Sequence, residues 1–167
     1  MSKQPYSRGF NIIELMITVA LVGIVALIAI PNLTTLVENQ RVRAAANDLA
    51  TAVSLARSEA VRDAANMRVL ARDDGGLDFD NGWCVVNTND NCTNNSVVRL
   101  YDPPGNVTVA VQDVGGSQVE FDRQGARVAN NTPRFTFRPP NCAAGQPRAR
   151  QVDIRPSGRP MVTEVDC

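Results

Sequence analysis

The feature that most constrains this chain is a long apolar segment near its N-terminus. Residues 15–30 carry no charged side chain, and the acidic residue Glu14 directly precedes them. As a helix, residues 10–30 span about 32 Å at about 1.5 Å per residue, which is enough to cross a bilayer core of about 30 Å. Because a carboxylate is costly to bury in hydrocarbon, Glu14 is predicted to have a function and a cationic partner.

Two ordinary interpretations of this segment are less satisfactory. A secretory signal peptide has its cleavage site after the apolar run, whereas here the small residue Gly9 and the basic residues Lys3 and Arg8 all come before it. A plain membrane anchor fits the length of the run but leaves Glu14 unexplained.

The block GFNIIELMITVALVGIVALIAIP at residues 9–31 resembles the N-terminus of type IV pilins and type II secretion pseudopilins. Gly9, Phe10, Glu14 and Pro31 stand at the family's spacing, while Asn11 replaces the commoner Thr. The resemblance implies that residues 1–9 are a leader, that prepilin peptidase cuts between Gly9 and Phe10, and that the new amino group of Phe10 is methylated. Glu14 would then pair with the amino group of Phe10, in a neighbouring subunit or in its own.

The predicted organisation follows from this block. Residues 1–9 form the prepilin leader, 10–31 the transmembrane and assembly helix, and 32–167 a periplasmic globular domain that includes the C-terminal half of the helix. Because the basic residues Lys3 and Arg8 precede the run and no basic residue occurs between Phe10 and Glu38, the N-terminus is expected in the cytoplasm, with the chain crossing the inner membrane once.

Beyond Pro31 the sequence continues as an amphipathic helix, expected to reach about Ala64. Pro31 removes a backbone donor and should kink or open the helix where the bilayer ends. Apolar and small residues recur at helical spacing and predict one buried stripe: Val42, Ala45, Ala46, Leu49, Ala52, Val53, Ala56 and Ala60. The opposite face is interpreted as solvated: Glu38, Arg41, Asp48, Arg57, Glu59 and Arg62.

From Met67 onward the period changes to two, and Gly, Pro and Asn mark turns. This pattern predicts short antiparallel strands near residues 67–71, 82–86, 97–101, 107–111, 119–121 with 127–128 returning, 135–137, 150–155 and 160–165. The predicted fold class is therefore α+β and type IV pilin-like, with a long bent N-terminal helix packed on small antiparallel sheets.

Four cysteines suit an oxidising compartment and lack the paired spacing of a zinc site. Of the three possible pairings we predict Cys84 with Cys92, which closes a short loop, and Cys142 with Cys167, which ties down the chain end. With no histidine in the chain, neither a metal nor another cofactor is expected.

An enzyme is also not expected. Without histidine, acid–base chemistry would fall on carboxylates. Asp73, Asp74, Asp78 and Asp80 flank Gly75-Gly76 in what reads as a solvated turn, so a calcium site there is the weaker interpretation.

Three later stretches resemble the FimU, FimT and H-type pseudopilin group: LARSEAVRD at 55–63, FDRQGARV at 121–128 and DIRPSGRPMV at 153–162. The two expected disulfides make a FimU-type minor pilin the closer match. This resemblance implies a structural subunit that primes pilus assembly and stays at or near the tip, and that interacts with membrane lipid before assembly. Its expected partners are the major pilin, other minor pilins, prepilin peptidase and the inner-membrane assembly platform. The alternatives are an H-type pseudopilin of a type II secretion system and a DNA-binding FimT-like pilin.

The DNA-binding alternative depends on arginines near the C-terminus, with Arg148, Arg150, Arg155 and Arg159 as the candidate patch for DNA or a partner. FimT-like pilins of natural transformation use a GRxRxR segment, but Gly158 is followed here by Arg159, Pro160, Met161 and Val162, so one arginine of that pattern is kept. After loss of the leader, 15 basic and 17 acidic residues remain. DNA is therefore not expected as a partner, and the arginines are interpreted as bonding acids and carbonyls of the domain or of a partner pilin.

Overall fold

The computed structural model describes residues 11–72, 78–93, 96–102, 105–113 and 118–167, with the backbone alone for Pro31. The chain divides into two compact units, one ending at Val37 and the other running from Glu38 to Cys167. The predicted leader and cleavage site, including Gly9 and Phe10, lie outside the described residues, as does the Gly75-Gly76 turn.

One long helix, α1 (Ile12–Arg62), contributes to both units. Asn11 precedes it, and the Asn11 side-chain oxygen accepts a hydrogen bond from the Ile13 amide at 3.3 Å, as an N-cap residue does. At the other end Ala64 adopts a left-handed conformation with φ 48°, and the Ala65 amide donates to the Ala60 carbonyl at 3.3 Å. This six-to-one bond is that of a Schellman motif, which explains why the helix stops close to the predicted end.

The N-terminal half of α1 carries large apolar side chains that are exposed in the single chain, from 43% at Val37 to 77% at Leu27. Among the described residues, α1 is the one helix long and apolar enough to cross a membrane, by length and composition. The helical backbone continues through Pro31. A kink at Pro31 stays a prediction.

The C-terminal half of α1 buries the predicted apolar stripe. Every one of its eight residues has an exposed fraction of 2% or less, and all belong to the main core cluster. Several are alanines, whose small side chains allow other elements to approach the helix closely. The sequence prediction of this buried face is therefore confirmed.

In the described residues, eight strands form two antiparallel sheets. Their bounds are β1 (Met67–Ala71), β2 (Trp83–Asn87), β3 (Arg99–Tyr101), β4 (Thr108–Gln112), β5 (Gln118–Phe121), β6 (Arg134–Arg138), β7 (Ala149–Ile154) and β8 (Pro160–Val165). Within the described part of the chain the strand orders are β3-β2-β1-β5 and β4-β6-β7-β8. Each strand begins and ends within two residues of its prediction, and the return after β5 is a single bridge between Phe121 and Arg127. The α+β, pilin-like fold class is confirmed.

The core of the globular unit is aromatic as well as aliphatic. Trp83, Phe79, Phe121, Phe135 and Phe137 are at most 1% exposed. The Phe79 and Phe135 rings meet edge to face with centroids 4.9 Å apart, an arrangement that adds to the stabilisation from burial. These rings share one cluster with the buried stripe of α1, so the helix is fixed to the sheets along its C-terminal half.

Candidate assembly and partner-binding surfaces

Glu14 lies in the first turn of α1 and is exposed in the single chain. An acidic side chain there interacts favourably with the positive end of the helix dipole. Its predicted partner, the amino group of Phe10, lies outside the described residues. The pairing between Glu14 and Phe10 therefore stays a prediction.

The predicted solvated face of α1 is wrong at three positions. Glu38 forms an ion pair with Arg148, Arg57 is half-buried against a turn, and Glu59 is 7% exposed and pairs with Arg62. The loop that carries Arg148 meets the helix at Glu38, and the Gly125 turn meets it at Arg57. Helical periodicity alone does not reveal these contacts. Arg41, Asp48 and Arg62 are exposed, as predicted.

At the start of the globular unit, Arg148 attaches the C-terminal loop to α1. Its guanidinium donates to a Glu38 carboxylate oxygen at 2.7 Å and to the Asn39 side-chain oxygen at 2.9 Å. The loop that carries Arg148 is itself fixed, because the Gln146 carbonyl accepts from the amides of Arg148 and Cys167 at 2.8 and 2.9 Å. The disulfide between Cys142 and Cys167 further fixes this loop to the C-terminal end of the chain.

The second disulfide joins Cys84, on β2, to Cys92 in the polar loop that follows the strand. All four cysteines are thus paired as the sequence predicts. Cys84 is fully buried beside Leu70 and Val86, so the bond fixes the loop to a small apolar cluster behind the first sheet.

The predicted arginine patch is divided between two ends of the second sheet. Arg150 lies near the start of β7 and Arg155 just beyond its end, about 17 Å away at about 3.3 Å per residue. Arg148 and Arg150 lie at the Glu38 end and are ion-paired, Arg150 with Glu164 at 2.6 Å. A strand of six residues keeps the two pairs of arginines apart, so the four do not form one patch.

Arg134 pairs with Asp153 at 2.9 Å across the β6–β7 ladder. Three of the C-terminal arginines, Arg134, Arg148 and Arg150, therefore bond acids of the domain, in agreement with the interpretation preferred from the sequence. Arg155 and Arg159 are exposed and make no ion pair with a described residue.

At the end of the second sheet opposite Glu38, two turns that contain glycine pack closely against α1. Gly125 and Gly158 adopt φ values of 74° and 77°, and the Arg57 Nε donates to the Gly125 carbonyl at 3.0 Å. A Cβ atom on Gly158 would lie 2.9 Å from that same carbonyl oxygen and 3.1 Å from the Phe121 ring. We call the surface around Arg57, Gly125 and Gly158 the glycine-turn end.

The three motif stretches that suggested the subgroup meet at the glycine-turn end. Arg57 belongs to LARSEAVRD, Gly125 to FDRQGARV and Gly158 to DIRPSGRPMV. The sequence identified these stretches but not their contact, because 68 residues separate Arg57 from Gly125. The one sequence signal for this contact is the glycine in each turn, because glycine allows two backbone segments to approach closely.

The buried residue Arg127 also contributes hydrogen bonds at the glycine-turn end. Arg127 is 8% exposed, and its guanidinium donates to the backbone carbonyl and the side-chain oxygen of Asn131. No described carboxylate pairs with it, and burial lowers the pKa of Arg127. The Arg127 amide also donates to the Pro156 carbonyl at 3.4 Å, which joins this segment to the β7–β8 turn.

The acidic residues of the predicted turn have structural roles where they are described. Asp78 caps a short 3₁₀ turn (Phe79–Asn81) by accepting from the Asp80 amide at 2.9 Å. Asp80 accepts from the Val109 amide, and burial raises the pKa of its carboxyl group. Asp73 and Asp74 lie outside the described residues. Across the described ranges, no group of three potential metal ligands is present.

Comparison with known proteins gives a family and a fold. The family model described as "Type II transport protein GspH" matches residues 45–158. No curated protein sequence matches significantly.

Solved structures of minor pilins and pseudopilins share the fold. The type IV minor pilin FimU of Pseudomonas aeruginosa strain PAO1, in space group P21, superposes with a TM-score of 0.61 at 20% identity, covering 75% of this chain and 90% of that one. The P65 form gives 0.59 at 21% identity, covering 72% and 91%. The minor pseudopilin EpsH from the Type 2 Secretion System of Vibrio cholerae gives 0.52 at 8% identity, covering 75% and 97%.

Proposed function

We propose that this chain, which belongs to the GspH family of pilin-like proteins, is a minor pilin that primes type IV pilus assembly and remains at or near the pilus tip. Its likeness in fold to the type IV minor pilin FimU supports the pilus over the secretion system. There it links tip subunits to the fibre of the major pilin. The family consists of structural subunits of pili and pseudopili rather than enzymes.

The observation that carries this proposal is the exposed apolar half of α1 in a chain that also contains a folded globular unit. Its large side chains are apolar around the helix, and the described residues of the chain do not cover them. Such a helix is stable in lipid or among other apolar helices. In the proposed function it leaves the lipid and packs with the helices of other minor pilins and of the major pilin.

The charged residue at the start of α1 supports the same proposal. Prepilin peptidase removes residues 1–9 and leaves the amino group of Phe10 at the mature N-terminus. When the inner-membrane assembly platform moves the subunit into the fibre, Glu14 neutralises that amino group within the apolar bundle. An unpaired charge in such surroundings would oppose incorporation.

The proposed location follows from the same elements. An apolar N-terminal helix in a pilin-family chain supports membrane anchoring. We place the N-terminus in the cytoplasm and the globular unit in the periplasm, and after assembly on the cell surface with the pilus.

Deleting the gene and restoring it with the full chain tests the priming role. We expect few or no surface pili without the protein and normal pili on restoration. Immunogold labelling of an exposed epitope such as the loop around Ala144 should mark fibre ends. Normal piliation in the deletion strain, or labelling evenly along the fibres, would contradict the proposal.

A second candidate is an H-type pseudopilin of a type II secretion system, which the description of the matching family and the fold of EpsH favour. The same deletion strain distinguishes the two functions. Loss of protein secretion with intact pili would assign the chain to the secretion system, whereas loss of pili with intact secretion would assign it to the pilus.

A further inference from the structure

We infer that the glycine-turn end of the globular unit is a docking surface for an acidic face with an apolar centre on another pilin-like subunit. The identity of the partner as a pilin-like subunit rests on the proposed function. The character of the surface rests on the side chains gathered there.

The glycine-turn end carries positive charge that the described residues do not neutralise. Arg123, Arg155 and Arg159 are exposed and make no ion pair within the described part of the chain, and Arg155 contacts the Met161 sulfur at 3.3 Å. Arg57 is engaged by a carbonyl rather than a carboxylate. Asp122, the carboxylate in the Gly125 turn, accepts from the Gln124 and Ala126 amides, both at 2.9 Å.

Exposed apolar side chains lie among these arginines. Val61 and Val128 are 54% and 53% exposed, and Met161 and Val162 on β8 are 38% and 37% exposed. Val61 lies beside the Gly125 turn, and Met161 contacts Arg155 just after the Gly158 turn. Val162, the next residue of β8, points to the opposite face of the sheet and lies at the margin of this surface. The other large apolar residues exposed in the described globular unit are Val98 and Leu100, which lie elsewhere, at β3.

This combination fits a protein partner better than a nucleic acid. Protein interfaces are enriched in Arg and Met around an apolar centre. Nucleic acid is held by many cations distributed along its backbone, but here Arg148 and Arg150 are paired at the opposite end of the sheet. Positive charge around apolar residues selects a partner face that is acidic around its own apolar centre.

The position of the surface indicates which end of the unit the partner occupies. Arg57 lies about 28 Å from Glu38 along α1, at about 1.5 Å per residue. A subunit docked at the glycine-turn end therefore leaves the contact between Arg148 and Glu38 undisturbed.

Site-specific photo-crosslinking of the full chain in its native cells tests the inference. A photoreactive amino acid replaces Ser157, at the tip of the Gly158 turn, or Ala144, which is exposed in the loop at the Glu38 end. We expect at least fivefold more crosslinking from position 157 to a second pilin-like subunit. Mass spectrometry should place the bond on a peptide with more acidic than basic residues. Equal crosslinking from both positions, a neutral or basic peptide, or nuclease-sensitive products would overturn the inference.

Charge variants separate the surface from a general effect of charge. Arg155→Glu with Arg159→Glu should reduce the crosslink from position 157 at least fivefold, whereas Arg155→Lys with Arg159→Lys should keep most of it. Arg123→Glu reverses a charge outside the β7–β8 turn, at an exposed side chain without described contacts. This variant should also weaken the crosslink. Arg138→Glu is the matched control, since Arg138 is exposed at the other end of the sheet. Equal losses in Arg138→Glu, or no loss in either turn-end reversal, would contradict the inference.

Sheared fibres from the same strains keep the two proposals distinct. Absence of the unaltered protein from fibres would count against the proposed pilus function whatever the crosslink shows. If the protein is present in fibres but position 157 gives no crosslink, the docking surface is refuted and the proposed pilus function is not.

Discussion

At the scale of single residues, Gly158 determines how closely the β7–β8 turn approaches the Gly125 turn. Its φ of 77° is costly for residues with a Cβ atom, and that atom would also lie 2.9 Å from the Gly125 carbonyl oxygen. Gly145 has a similar φ of 80° but nothing within 4 Å of the same position. Comparing alanine substitutions at Gly158 and Gly145 therefore distinguishes the cost of backbone strain from the cost of steric crowding.

We expect Gly158→Ala to lower the free energy of unfolding by about 3 kcal/mol, the sum of backbone strain and overpacking, and Gly145→Ala by about 1 kcal/mol, from strain alone. Fluorescence of Trp83, the single tryptophan and fully buried, reports unfolding of the globular unit in detergent-solubilised full chain. Similar losses in the two variants would show that the turns do not interlock as described.

Glu14→Ala should leave membrane insertion intact and strongly reduce incorporation into fibres, at least tenfold. The carboxylate is needed only when the amino group of Phe10 enters the helical bundle, and removing it makes the segment more apolar. Immunoblots of membranes and sheared fibres measure both steps, with Asp166→Ala as a control at an exposed acid in the globular unit. Equal amounts of the Glu14 variant in membranes and fibres would refute the pairing mechanism.

At the scale of secondary-structure elements, the C-terminal strand and the loop before β7 are held by one disulfide and by Arg148. β8 forms the edge of its sheet and has a neighbour on one side, β7. Chain ends on such edges fray unless something fixes them. The bond between Cys142 and Cys167 supplies that restraint and keeps Arg148 within reach of Glu38.

Replacing Cys142 and Cys167 together by serine should lower the free energy of unfolding by about 3.5 kcal/mol, the chain-entropy value for a separation of 25 residues. Urea unfolding followed by Trp83 fluorescence measures the loss. Non-reducing peptide mapping of the unaltered chain should show the same pairing. A peptide joining Cys84 to Cys142 would refute it.

At the scale of the whole molecule, the sequence predicts features that depend on neighbouring residues and misses those that depend on distant ones. The buried stripe from Val42 to Ala60 and the strand bounds follow local periodicity, and the structure confirms them. The burial of Arg57 was missed because the Gly125 turn, 68 residues further along the chain, lies against it. The sequence also does not reveal that the candidate arginines lie at two ends of the second sheet, because Arg150 and Arg155 lie at opposite ends of the extended strand β7.

The central claim is that this chain is processed as a pilin and built into a fibre, so the most direct measurement is intact mass spectrometry of the protein recovered from sheared fibres. The account predicts a single mature form that begins at methylated Phe10 and contains two disulfides. A mature N-terminus beyond Ile30, or absence of the protein from sheared fibres and from any secretion pseudopilus, would contradict it.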